Sequence, residues 1–220
     1  APIDTAPDTY AVRAMDEAAL TALLQELELY KLMEKLGLKP QAAAPRRETA
    51  PAPKQPVGGN EAAPALLAAA RANGRLDVLA QVEGEEITGL SVAVAGQCAH
   101  IDRFAPEFPA LVALLTDPAV EKRTHDGKPL LRALLSAGEQ PAGFVFDTAL
   151  AAYLLDPLSS DYSLPRLLRD WGDPDEEPIR GFSGLADELK IAVEQQEMLP
   201  LLTDVEQPLS EVLASMETVG

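Results

Sequence analysis

The residues with the plainest chemical potential in this chain are acidic. Asp173-Pro174-Asp175-Glu176-Glu177-Pro178 sets four carboxylates within six positions, a density of oxygen donors that could hold a hard cation such as Ca²⁺ or Mg²⁺. The run has neither the glycine nor the spaced ligands of a calcium loop and is bounded by proline, so it reads as a solvated acidic loop. Asp147 opens a predicted helix directly after an apolar strand, where N-capping accounts for a carboxylate without any catalysis. Trp171 offers a ring that could stack on a base, but its position at the end of an amphipathic helix predicts a core plug. The single cysteine, Cys98, excludes an internal disulfide and a cysteine-cluster zinc site. The 220 residues contain no Gly-rich phosphate loop followed by Lys and Ser or Thr, no G-x-S-x-G turn and no H-E-x-x-H helix.

The elements that would position such residues follow from periodicity. From Asp16 to Leu36 the apolar set Leu20, Leu23, Leu24, Leu27, Tyr30, Met33 and Leu36 forms one helical stripe, with Asp16 as N-cap and Gly37 as terminator. Residues 40–64 carry Pro40, Pro45, Pro51, Pro53, Pro56 and Pro64 among alanines and Gly58-Gly59, the composition of a semi-stiff solvated linker. Its Arg46-Arg47 pair could touch phosphates, but in a tether it reads as solvated. A short helix over 64–72 then leads into three predicted antiparallel strands, 76–82, 87–95 and 98–103, joined at Glu83-Gly84-Glu85 and Gly96-Gln97. Beyond them helices and strands alternate: helix 108–115, strand 120–123, helix 129–137, strand 144–146 and helix 148–155. Two or three further helices are predicted, near 164–171, 184–202 and 207–219. This order predicts an α/β domain with a mixed sheet flanked by helices, of the ribonuclease-H-like type, although periodicity alone leaves other mixed-sheet folds open.

Composition limits the function classes. Eighteen Lys and Arg against 35 Asp and Glu give a formal charge of −17, which argues against a free-standing nucleic-acid binder with a basic face. A hydrophobic fraction of 47% is enough for a core. With no apolar run of membrane-spanning length, no opening signal peptide and one cysteine, the expected home is the cytoplasm, with no membrane partner. Leu209, Val212, Leu213, Met216 and Val219 recur at helical spacing to the last residues, which points to a partner beyond Gly220 and to a piece of a longer protein.

Three stretches together resemble the bacterial DNA polymerase I family, the family A polymerases. Phe146-Asp147-Thr148-Ala149-Leu150-Ala151-Ala152-Tyr153-Leu154-Leu155-Asp156-Pro157 is similar to the pattern F-D-T-x-L-x-x-Y-L-L-D-P of the exonuclease-like domain. Val205-Glu206-Gln207-Pro208-Leu209, followed by Val212-Leu213-Ala214 and Met216-Glu217, is similar to the segment leading into the polymerase domain. Leu27 to Leu38 resembles the last helix before the interdomain linker, at the end of the 5′-nuclease portion. The resemblance implies four regions: residues 1–39 as the tail of the 5′-nuclease region, 40–64 as linker, 65–206 as a 3′–5′ exonuclease-like domain, and 207–220 as the first helix leading into the polymerase domain.

A proofreading exonuclease of that family holds two metal ions with four carboxylates, because hard cations need several oxygen ligands and paired metals clamp the attacking and leaving oxygens. Where the resemblance places Asp-x-Glu on the first strand, this chain has Gln81 and Glu83, and the shifted reading Glu83-Gly84-Glu85 slides into a hairpin turn. Where it places N-x-K-x-D, Asp126-Gly127-Lys128-Pro129-Leu130 keeps Lys128 but has Leu130 for the metal-binding Asp. His125 and Asp126 just upstream read as solvated loop or helix-capping residues, and His100 as a surface or edge histidine. The late Tyr-x-x-x-Asp is missing: the four tyrosines are Tyr10, Tyr30, Tyr153 and Tyr162, and Asp187, Glu188, Glu194 and Glu197 read as the solvated face of their helix.

The expectation is therefore a domain with no catalytic, cofactor-binding or metal-binding residue, in a parent chain that synthesises DNA with Mg²⁺. Its partner would be the polymerase domain of that chain, and it would meet DNA through the parent alone. Two other readings stay open: a divergent active exonuclease using Glu83, Glu85, Asp126 and a further acid, and an acidic protein-interaction module.

Overall fold

The computed structural model describes residues 16–26, 32, 35–36, 62–173 and 175–219. The chain divides into two units, residues 1–54 and 55–220. In the first, α1 spans Glu17–Glu26, and the Asp16 carboxylate accepts a hydrogen bond from the Ala19 backbone N–H at 2.9 Å, the capping expected of it. Leu27, Tyr30, Met33, Gly37 and linker residues 40–61 lie outside the described residues.

The second unit runs α2 (Ala63–Asn73), β1 (Arg75–Glu83), β2 (Glu86–Val94), β3 (Gln97–Asp102), α3 (Phe108–Leu115), β4 (Glu121–Thr124), α4 (Lys128–Ser136), β5 (Phe144–Asp147), α5 (Thr148–Leu155), α6 (Leu164–Trp171) and α7 (Pro178–Gln195). A single turn, α8 (Leu199–Leu201), then passes through a π-helical turn (Leu202–Glu206) into α9 (Gln207–Val219). The five strands form one mixed sheet in the order β3-β2-β1-β4-β5. β1 pairs antiparallel with β2 and β2 with β3, whereas β1–β4 and β4–β5 are parallel. The tight turns after β1 and β2 allow antiparallel neighbours, while helices α3 and α4 supply the crossovers that parallel strands need.

Strand alternation divides the core between the two faces of the sheet. Leu76 and Val78 of β1 join Leu90, Val92, Ile101, Leu111 and Leu131 under α2, α3 and α4. Leu79 faces the other way, toward Phe146, Leu167, Phe182, Leu185 and Leu189 beneath α5, α6 and α7. Each fully buried side chain of this size is worth roughly 1.5–3 kcal/mol relative to exposure, so two covered faces make a self-sufficient core.

Two expectations need correction. The helix predicted over 184–202 begins at Pro178, a tolerated first-turn position, and stops at Gln195. Glu197 then takes a left-handed backbone (φ 58°), which breaks the helical hydrogen-bond run before Pro200 can continue it. Trp171 is not a core plug, being 37% exposed. Leu167 and Leu168 are the residues that α6 buries, and the Trp171 ring at its end stays partly exposed.

Candidate functional site

Gln81 and Glu83 are exposed at the end of β1, and Glu83 and Glu85 flank the hairpin to β2. Beside Gln81 the sheet surface is filled. A Cβ at Gly89 would lie 2.9 Å from His100 Cε1 and 3.3 Å from Gln81 Oε1, so a glycine is needed for the imidazole to lie across the strand. His100 Nδ1 is 3.0 Å from Ser91 Oγ, its register partner on β2, and Nε2 is 3.5 Å from Asp102 Oδ1. The array ties edge strand β3 to β2, as the edge-histidine reading expects.

Leu130 stands where the family resemblance would place a metal-binding Asp. It is 1% exposed and packs with Leu131 and Leu134 in the core beneath α4. Lys128, the retained member of that motif, reaches away to Glu217 Oε1 of α9 at 2.8 Å.

The loop before it serves Asp147. The Asp147 carboxylate caps α5 by accepting from the Ala149 N–H at 2.8 Å, and also accepts from the N–H groups of Asp126 at 2.9 Å and Gly127 at 2.7 Å. Asp126 adopts a left-handed backbone (φ 46°), a conformation aspartate tolerates better than most side chains. Gly127 admits the close approach, since a Cβ there would lie 2.6 Å from Thr124 Cγ2. Complete burial raises the Asp147 pKa, with the three N–H groups and the neighbouring His125 acting in the opposite direction. His125 Nδ1 lies 2.9 Å from Thr148 Oγ1; burial lowers its pKa, against the charges of Asp147 and Asp126. The Asp147 cap and the exposed loop position of Asp126 thus agree with the sequence reading, whereas His125 is half-buried against Thr148 rather than solvated, and neither the His125 nor the Asp126 side chain caps α4. The acidic loop shows the same local economy, with Asp173 Oδ1 accepting from the Asp175 N–H at 3.0 Å.

Sequence reasoning missed the principal charged constellation. Asp77, buried in β1, accepts a bidentate pair from Arg123 of β4, with Nε–Oδ1 and Nη2–Oδ2 both 2.6 Å, and a further bond from Ser183 of α7. Arg123 Nη1 also binds Asp187 of α7, which in addition accepts from Arg75 Nη2 at 3.1 Å. Asp187 is therefore an ion-pair bridge rather than a purely solvated residue. Burial opposes the Arg123 charge, but hydrogen bonds and attraction from Asp77 and then Asp187 outweigh it and raise its pKa. The available signal was a lone Asp inside the apolar run Leu76-Asp77-Val78-Leu79, together with Arg123 on a short interior strand. Among the described residues, no group of three or more His, Cys, Asp or Glu side chains is arranged to hold a metal ion.

Comparison with known proteins fits this architecture. No family model matches the chain. DNA polymerase I of Mycobacterium tuberculosis is 30% identical over 259 aligned positions, covering 100% of this chain and 28% of that protein. The chain thus spans less than a third of the length of this relative. The solved POL domain of Pol1 from M. smegmatis, in complex with DNA primer-template and dNTP, has a TM-score of 0.62 and 28% identity, covering 72% of this chain and 31% of that one. Escherichia coli RNase D, an exoribonuclease, shares the fold at 19% identity and a TM-score of 0.52, over 74% of this chain and 51% of its own. Among the described residues, no helix is long and apolar enough to cross a membrane. The chain is related along its whole length to bacterial DNA polymerase I and carries the ribonuclease-H-like α/β fold of the 3′–5′ exonucleases.

Proposed function

We propose that residues 65–206 form a vestigial exonuclease-like domain that has lost its metal site. It acts as a structural platform and spacer within a cytoplasmic DNA polymerase I, with residues 1–39 and 40–64 as nuclease-side tail and linker and 207–220 as the first helix toward the polymerase domain. Template-directed DNA synthesis, in replication and repair and with Mg²⁺, then belongs to another part of the parent chain. The burial of Leu130 in the core carries this reading, because the position of a metal-binding carboxylate has become part of the apolar packing. Gln81 on β1 and the engagement of Asp187 by Arg75 and Arg123 support it. Losing even one carboxylate from a metal site weakens binding steeply, and here three of the four family positions lack theirs.

The exonuclease folds among the structural neighbours favour a second reading, a divergent 3′–5′ exonuclease using Glu83, Glu85 and Asp126. The test is incubation of the purified chain with 3′-labelled single-stranded DNA in Mg²⁺ or Mn²⁺. The expected result is no metal-dependent shortening. Degradation abolished by Glu83→Ala would overturn the structural reading in favour of the enzyme.

A further inference from the structure

The polar array on edge strand β3 holds more donor chemistry than strand pairing requires. His100 and Asp102 are two residues apart on that strand, so their side chains leave the same face of the sheet. Register places Gln81 of β1, Gly89 of β2 and Asp102 of β3 in one row across it. The middle member has no side chain, and its neighbours lean over it. The point where a Cβ would stand on Gly89 is 3.0 Å from His100 Nε2 and 3.3 Å from Gln81 Oε1. An imidazole nitrogen and an amide oxygen thus approach one spot, and the Asp102 carboxylate lies 3.5 Å from the same nitrogen. Water reaches the group, the His100 side chain being 34% and that of Asp102 63% exposed.

The distances suit a shared metal ion better than a direct hydrogen bond. At 3.5 Å, His100 Nε2 and Asp102 Oδ1 are farther apart than the roughly 2.7–3.2 Å of a well-formed N–H···O bond. Two ligands held about 2.0–2.1 Å from one tetrahedral ion stand about 3.4 Å from each other. The second ring nitrogen is already engaged, with Nδ1 3.0 Å from Ser91 Oγ. With that hydroxyl accepting from Nδ1–H, Nε2 keeps its lone pair, and the ring is oriented as a metal-bound histidine is by its outer partner. Imidazole nitrogen selects a borderline ion such as Zn²⁺ over the hard ions Mg²⁺ and Ca²⁺.

We propose that His100 and Asp102 bind a divalent transition-metal ion of the Zn²⁺ type over Gly89, with Gln81 Oε1 as a neutral third donor and water completing the shell. Both anchoring residues lie on β3, which carries none of the carboxylate positions of the family's exonuclease chemistry, so the site stands whether or not that chemistry survives. It has two ligands of the His, Cys, Asp and Glu set rather than three or more, and is therefore an open site with exchangeable water. The bound ion clips edge strand β3 to β1 across β2.

Calorimetric titration of the chain, freed of any affinity tag, with ZnCl₂ tests the site. It is paired with proton–nitrogen correlation spectra of the imidazoles, of which the chain has two, His100 and His125. The expected result is saturable binding of one ion per chain, a metal-dependent shift of His100 Nε2 with His125 unmoved, and no binding of Mg²⁺ over the same range. His100→Ala should abolish binding, Asp102→Asn should weaken it at least about tenfold, and Ser91→Ala about tenfold by releasing the ring. Cys98→Ala and Glu83→Gln should leave the affinity unchanged. An unmoved His100 Nε2 in the unaltered chain would overturn the site, however the variants fold. Binding lost in Cys98→Ala would overturn it in favour of the thiol two residues before His100, and binding lost in Glu83→Gln in favour of an ion held at the β1–β2 hairpin.

Discussion

Lys122 and Arg123 are consecutive residues of β4, both buried, and they meet opposite fates. Strand geometry sends them to opposite faces of the sheet. Arg123 finds a bidentate carboxylate in Asp77 and a second in Asp187, and its pKa rises. Lys122, fully buried, donates to two backbone carbonyls, Asp117 O and Ala142 O, the latter at 2.7 Å. Burial lowers its pKa to about 8, with some compensation from the Asp117 charge. The difference teaches that a facing anion offsets the burial of a cation more fully than neutral carbonyl acceptors do.

Breaking the better-paired member has the largest expected effect. Asp77→Ala leaves Arg123 buried without its bidentate partner and should cost about 3–5 kcal/mol in urea unfolding. Combining Asp77→Leu with Arg123→Met should recover most of that loss; a double variant as unstable as Asp77→Ala would show that the pair itself is worth more than its apolar replacement.

The Lys122 arm is read by pH. Its folded pKa lies below the ordinary value of 10.5, so between about pH 8 and 10.5 the unfolded chain binds more protons and stability rises with pH. Below about pH 8 both states carry the proton and this contribution is flat. The rise should amount to roughly 1–3 kcal/mol across the window and disappear in Lys122→Met, measured by chemical melts at each pH. A slope that survives the substitution would assign it to another group.

Asp187→Asn tests the exposed end of the Arg123 network and has the smallest expected effect, below about 1 kcal/mol, because solvent screens a carboxylate that stays largely accessible. A loss as large as that of Asp77→Ala would mean that Asp187, rather than the bidentate partner, anchors the guanidinium.

The contrast also marks how far the primary structure could be read. The helices over 108–115, 148–155, 164–171 and 207–219 stand where periodicity places them, because capping, apolar spacing and the neighbouring Gly or Pro are local. The Asp147 cap was legible for the same reason. The Asp77–Arg123 pair was not, since its members are 46 residues apart and nothing in either neighbourhood names the other. The π turn was equally hidden: the apolar stripe through Leu209 and Met216 was legible as a face left without a partner inside the domain, but the turn over Leu202–Glu206 that precedes it was not. Trp171 was misplaced because the buried face of α6 is already taken by Leu167 and Leu168.

At the candidate site the division is the same. The residue types Gln81 and Leu130, where the family resemblance calls for carboxylates, and the missing tyrosine in 178–195, are properties of the chain order itself. No folding can make a glutamine or a leucine bind a hard cation as a carboxylate would. The fold alone determined that Leu130 lies in the core, that Asp126 and Gly127 spend their N–H groups on Asp147, and that Asp187 is committed to Arg75 and Arg123. These are relations between distant segments, and the packing that brings the segments together selects their partners.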